Sequence, residues 1–188
     1  MEHNLKTQIL QATVAVFSEK GMKFTMDDIA RELSISKKTI YTVFDKKTSL
    51  MLEMVDYCFD AIKESEAAII ADDSLTTVEK IERILGVMPE SYTELDFTQL
   101  YTLRDKYPKV YKRVEHRLET GWENTIALIN QGIEEGVIRP VSIPLIKVML
   151  ESTLESFFKR DVLSMNGLSY DEGLKTVVSI IIDGIKVR

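Results

Sequence analysis

Apolar residues recur every three or four positions along most of this 188-residue chain, with Pro and Gly read as the breaks between periodic segments. Leu5, Ile9, Ala12, Val16 and Phe17 form one helical stripe, which Lys20-Gly21 closes with a basic last turn and a left-handed stop. After Asp45-Lys46 a long helix carries Leu50, Met51, Met54, Val55, Cys58, Phe59 and Ile62 on its apolar side and breaks at Asp72-Asp73-Ser74. Leu75, Val78, Ile81, Ile84, Leu85 and Met88 predict a further helix up to Pro89, and a short ambiguous segment covers residues 96–106. Beyond Pro108, a favoured first-turn residue, Val110, Val114, Leu118, Trp122, Ile126, Ile129 and Ile133 predict one continuous helix ending near Gly136. From Pro144 to Met165 apolar residues occupy more than one face, and from Tyr170 to Val187 they run nearly all round. The β-branched run 177–182 would also suit a buried strand, but no partner strand is evident, so the segment is read as a helix buried on every side. The fold class is therefore all-α.

Two helix starts lie eleven residues apart in the stretch 24–44. Thr25 is an N-cap with Asp28 three residues on, a carboxylate form of the capping box, and Phe24 and Ile29 occupy the staple positions. Ser36 repeats the pattern with Ile35 and Ile40, and Leu33-Ser34-Ile35 leaves room only for a tight turn. Two short helices so joined cross steeply, as in a helix-turn-helix. On the second helix, 100° per residue places Ile40, Val43 and Phe44 on the buried face and Lys38 and Thr42 opposite, flanked by Thr39 and Tyr41, with Lys37 at the amino end. This face has no acid before Asp45 and suits a major groove, where Lys or Thr reach base edges while hydroxyls and the helix start bind phosphates.

The stretch from Thr25 to Leu50 resembles the DNA-binding domain of the TetR/AcrR family of transcriptional regulators. The resemblance rests on the leading helix ending at Gly21, on Thr25, Asp28-Ile29-Ala30, Ser36-Lys37-Lys38-Thr39-Ile40-Tyr41 and Phe44, and on Lys47 followed by Leu50. Ser34 departs from it, because the family commonly has Gly in the turn. The resemblance implies a three-helix DNA-binding domain over residues 1–47 and a helical effector-binding and dimerisation domain over 48–188. It implies that Thr25, Lys37, Thr39, Tyr41 and Lys47 contact phosphates and that Lys38 and Thr42 read bases. The implied function is a homodimeric, ligand-responsive regulator, a repressor of a palindromic operator in double-stranded DNA, released by a small, mostly apolar effector. The competing reading is a helical ligand-binding or interaction protein that does not use DNA.

Charge agrees with a basic-leaning front end: residues 1–50 hold eight Lys and Arg against six Asp and Glu, leaving 16 against 24 in the remainder of a chain of net charge −6. Met54, Tyr57, Cys58, Met88, Tyr92, Tyr101, Trp122, Ile126, Met149 and Phe157 are expected to line an effector pocket, since Met and aromatic side chains offer adaptable apolar surface. Leu154, Phe158, Val178, Ile181, Ile182 and Ile185 are expected at the dimer interface, because the last two segments carry apolar residues on too many faces for one neighbour to cover. There is one cysteine, no apolar run of membrane-spanning length and no signal-peptide pattern, so a cytoplasmic protein is expected. Absence of metal-ligand spacing, a Gly-rich phosphate loop or a nucleophile motif argues against an enzyme, a metal or a cofactor.

Overall fold

The computed structural model describes residues 2–89, 101–159 and 162–188, which form helices and connecting turns. The helices are α1 (Glu2–Lys20), α2 (Met26–Glu32), α3 (Lys37–Val43), α4 (Lys47–Ala71), α5 (Thr77–Leu85), α6 (Tyr101–Lys106), α7 (Pro108–Glu119), α8 (Glu123–Glu134), α9 (Ile143–Lys159), α10 (Val162–Met165) and α11 (Tyr170–Ile185), with a 3₁₀ turn at Gly21–Lys23. Among the described residues the sole extended pairing is an isolated antiparallel bridge between Ile138 and Lys186. The all-α expectation holds, and no described helix is long and apolar enough to cross a membrane.

Two apolar clusters organise the chain. The first joins α1 to α3 with the first turns of α4 and the inner faces of α6 and α7: Ile9, Phe17, Phe24, Ile29, Ile40 and Phe44 meet Leu50, Met51 and Met54, and Leu103, Val110 and Val114 close it from the far side. The second holds Ile81 and Ile84 of α5, Leu128 and Ile129 of α8, Leu150 of α9, and Leu174, Val178, Ile181 and Ile182 of α11. The first cluster runs across residue 47, so α4 belongs to both parts of the molecule.

The expected continuous helix beyond Pro108 is instead two helices. Gly121 breaks it with φ +79°, a conformation open to glycine, and its carbonyl accepts a hydrogen bond from Lys63 Nζ at 2.5 Å. The expectation that α11 is buried all round also fails, because Ile180 is 66% exposed. Val178, Ile181, Ile182 and Ile185 face inward and are buried within the chain, which removes them from the expected dimer interface. A helix places positions 178, 181, 182 and 185 on one side, so a run apolar all round still leaves its remaining face to solvent or a partner.

Two local features invite substitution. Ser34 sits at φ 54°, in the left-handed region, where a side chain costs about 1–2 kcal/mol; Ser34→Gly is expected to stabilise the protein by about 0.5–1 kcal/mol after the added entropy of the unfolded chain, measured by urea unfolding. Gly132 in α8 packs so closely that a Cβ there would lie 2.6 Å from Ile138 Cγ1 and 3.3 Å from Ile81 Cδ1, both on fully buried side chains. Gly132→Ala, which in an open helix would stabilise by about 1 kcal/mol, is expected to cost about 1–3 kcal/mol in the same assay.

Candidate nucleic-acid interface and internal cavity

The cap residues build the interface from its ends. Thr25 Oγ1 accepts from the backbone N–H of Asp28, and the Asp28 carboxylate accepts in return from Thr25 N at 2.9 Å and Thr25 Oγ1 at 2.7 Å. Lys20 Nζ lies 2.7 Å from the other Asp28 oxygen, and this pairing, together with the Thr25 hydroxyl, holds the carboxyl well below its ordinary pKa. At the turn, Ser34 N donates to Arg31 O and Ile35 N to Ala30 O, which ends α2 and redirects the chain. Ser36 then caps α3 by accepting from Thr39 N at 3.1 Å.

On α3, Ile40 and Phe44 are buried while Lys37, Lys38, Tyr41 and Thr42 are exposed. The face that helical projection turns outward is thus the face that solvent reaches, and no acid lies in the first turn of α3. Lys38 carries no ion pair among the described residues, whereas Lys37 pairs with Asp27 at 2.7 Å. The Thr42 hydroxyl donates to the Thr39 carbonyl at 2.6 Å, leaving its oxygen free to accept on an exposed side chain. Thr25 and Thr39 are engaged in the caps but stand at the amino ends of α2 and α3.

Lys47 is placed differently from the other cations. Its ammonium donates to the carbonyls of Met22 and Phe24, at 3.2 and 2.5 Å, lies 3.9 Å from the centre of the Phe24 ring and 5.7 Å from that of Tyr107. Burial lowers its pKa from the ordinary lysine value. In this geometry Lys47 ties the start of α4 to the entry of α2, and reaching a phosphate would require it to release those carbonyls.

Inside the body, a cavity of about 170 Å³ lies between α1, α4, α5, the α7–α8 turn, α9 and α11. Met54, Cys58, Met88 and Trp122 of the expected pocket residues line it, as does Leu154, which had been assigned to the dimer interface. Tyr57 and Ile126 do not line it; Tyr57 packs on the first cluster, and the break at Gly121 resets the phase of α8 so that Thr125 points inward. Met149 is 59% exposed because Leu150, one position on, takes the inward direction, and Phe157 lies behind the wall, edge to face with Tyr170 at 6.0 Å. Tyr92 lies outside the described residues, as do the side chains of Tyr101 and Phe158.

Several cavity residues escaped sequence reasoning. Glu66 is 5% exposed and accepts from Lys63 Nζ through both oxygens, at 2.8 and 2.9 Å. Lys63-Glu64-Ser65-Glu66 reads as a solvated charge run, yet Val55, Phe59, Ile62 and Glu66 continue one helical stripe, a signal that Glu66 turns inward. Arg117 closes the same end, stacked 5.4 Å from the Phe59 ring centre and paired with Asp60 at 2.7 Å. The hydroxyl of Tyr170 is raised above its ordinary pKa by burial and stays neutral.

Residues 9–54 match the family model described as bacterial regulatory proteins, tetR family. Over 178 residues the chain is 24% identical to an uncharacterised helix-turn-helix transcriptional regulator, YvaF, of Bacillus subtilis, covering 95% of this chain and 94% of that one. It is 40% identical over 57 residues to IcaR of Staphylococcus aureus, a helix-turn-helix negative transcriptional regulator of the biofilm operon icaADBC, covering 30% and 31% of the two chains. A crystal structure of a TetR transcription regulator from Haloarcula marismortui superposes with a TM-score of 0.76 at 23% identity, over 98% of this chain and all of that one. The family model thus matches the chain from α1 into the first half of α4, and along its whole length the chain shares the fold of a TetR transcription regulator.

Proposed function

We propose that the protein is a cytoplasmic repressor that binds a palindromic operator in double-stranded DNA as a homodimer and is released by a small, mostly apolar effector. The observation that carries DNA reading is the exposed, acid-free face of α3, with Lys38, Tyr41 and Thr42 projecting from a helix fixed by the Ser36 cap and the buried Ile40 and Phe44. Lys38 supplies a donor to guanine edges; Thr42, its own proton spent on Thr39, reads by accepting from an amino group or by methyl contact with thymine. Thr25, Lys37, Thr39 and Tyr41 form the phosphate-contacting rim together with the amino ends of α2 and α3. Lys47 contributes to affinity by holding α4 against the entry of α2. The negative regulation named for the staphylococcal relative supports repression.

The apolar residues left uncovered support the homodimer and its site. Leu145, Val148 and Met149 form one stripe on α9, 63%, 53% and 59% exposed, and Ile180 lies on α11, which packs on α9. A second copy burying this face by a two-fold axis gives four helices at the interface and two α3 helices able to enter successive major grooves about 34–36 Å apart.

DNA selection from random duplexes followed by titration tests the reading. Lys38→Ala is expected to lose about 1–3 kcal/mol on the selected duplex and to relax preference at one base pair. Lys47→Met is expected to weaken selected and random duplexes alike and to lower the melting temperature of the free protein, a double effect that a phosphate contact alone would not produce. Retention of DNA that is insensitive to salt, or no retention, would favour the interaction-protein reading.

The dimer face is tested by sedimentation of the Met149→Glu, Ile180→Glu double variant, expected to be a folded monomer by circular dichroism. Ile181→Glu, by contrast, buries an uncompensated charge in the second cluster and is expected to unfold that half of the protein. A dimer that survives the double variant places the interface elsewhere.

A further inference from the structure

The polar groups of the cavity wall point to the chemistry of what fills it, an inference that rests on the effector reading above. Most of the wall is apolar, with Phe17, Phe59, Met88, Leu118, Trp122 and Leu154 contributing large surfaces. Its charges are already paired: Glu66 takes both its hydrogen bonds from Lys63, whose ammonium also serves the Gly121 carbonyl, and Arg117 is paired with Asp60 at 2.7 Å and with Asp56 at 3.5 Å, both outside the lining. The Thr120 hydroxyl donates to His116 O and the Trp122 indole to Leu118 O, both at 2.8 Å.

Thr125 breaks this pattern. It is 4% exposed, lines the cavity from the first turn of α8, and its hydroxyl has no hydrogen-bond partner among the described residues. The oxygen is not among the described side-chain atoms that are sealed from solvent without a partner, so it is open to the cavity, and an occupant that displaces water from it must supply a hydrogen bond or leave it unpaired.

We infer that the cavity takes a compact, uncharged, predominantly apolar molecule bearing one hydroxyl or carbonyl oxygen, which pairs with Thr125 Oγ1. A charged ligand would shed its hydration against a wall with no uncompensated charge to receive it. A purely apolar one would leave Thr125 unsatisfied. At about 170 Å³ the space is close to that of apolar cavities which hold benzene, so a ring with a short substituent fits.

Four probes of one shape decide the matter: 4-ethylphenol, ethylbenzene, 4-ethylbenzoate and 4-ethylbenzylammonium, titrated into the full chain by calorimetry, with the fluorescence of Trp122, the only tryptophan, reporting occupancy. The phenol is expected to bind about tenfold more tightly than ethylbenzene and than either ion. Thr125→Val is expected to bring the phenol down to the level of ethylbenzene and leave ethylbenzene unchanged, while Thr125→Ser restores the phenol. An ion that binds as tightly as the phenol, a phenol advantage that survives in Thr125→Val, or no binding by any probe overturns the inference. Operator affinity measured with saturating phenol separates the two levels: a phenol that binds through Thr125 without weakening DNA leaves the ligand class standing and removes the effector reading.

Discussion

One helix has to satisfy two cores at once. The 25 residues of α4, roughly 37 Å at 1.5 Å per residue, bury Leu50 and Met51 among the helices that carry the proposed DNA-reading face. From about two turns further on, the same helix supplies Cys58, Phe59, Ile62, Lys63 and Glu66 to the cavity wall. Met54 and Val55 belong to both, being buried in the first cluster and lining the cavity. Because close-packed interiors transmit displacement rather than absorb it, α4 cannot shift at the cavity without shifting the support of α3.

Each end of α4 is held by a lysine that spends its charge on the protein. At the amino end Lys47 serves the carbonyls of Met22 and Phe24 and rests over the Phe24 ring; toward the carboxyl end Lys63 serves Glu66 and Gly121. Lys47 thereby fixes α4 to the turn from which α2 begins, and Lys63 fixes it to the turn at which α7 gives way to α8. Neither side chain is simply a surface cation, although both fall in sequence contexts that read as one, Lys46-Lys47 and Lys63-Glu64. What separates them from solvent-facing lysines is a carbonyl 23 or 58 residues away, which no local pattern encodes.

The same distinction governs what could be read from the chain. The capping box at Thr25, the Ser36 cap and the outward face of α3 were legible because each depends on residues within one or two turns. The break at Gly121 was masked by apolar spacing that continues in phase across it, from Leu118 and Trp122 to Ile129, and only the glycine itself signalled the interruption. Which side of α11 is buried was not legible at all: Ile180, Ile181 and Ile182 are chemically alike, and their different fates follow from where α5 and α9 happen to lie. Met149 and Leu150 make the same point on α9, where adjacent apolar residues face solvent and cavity.

For the proposed effector, the wall composition matters more than the cavity size. The groups that an occupant would touch come from α4 on one side and from α8, α9 and α11 on the other, and the last two carry the exposed apolar stripe proposed to meet a second copy. An occupant that fits better when α4 is displaced from α8 therefore acts between the proposed DNA-reading face and the proposed dimer axis, without touching either. Only the difference in its affinity for the two positions of α4 can move the equilibrium, and tight binding that favours neither position changes nothing. The Lys63 link to Gly121 opposes such a displacement, since opening it would leave the turn carbonyl short of a donor, while Glu66, on the same helix as Lys63, keeps its own. An effector competent to shift α4 must then either repay that loss or move α4 and the α7–α8 turn as one body, and the shared hydrogen bonds favour the second route.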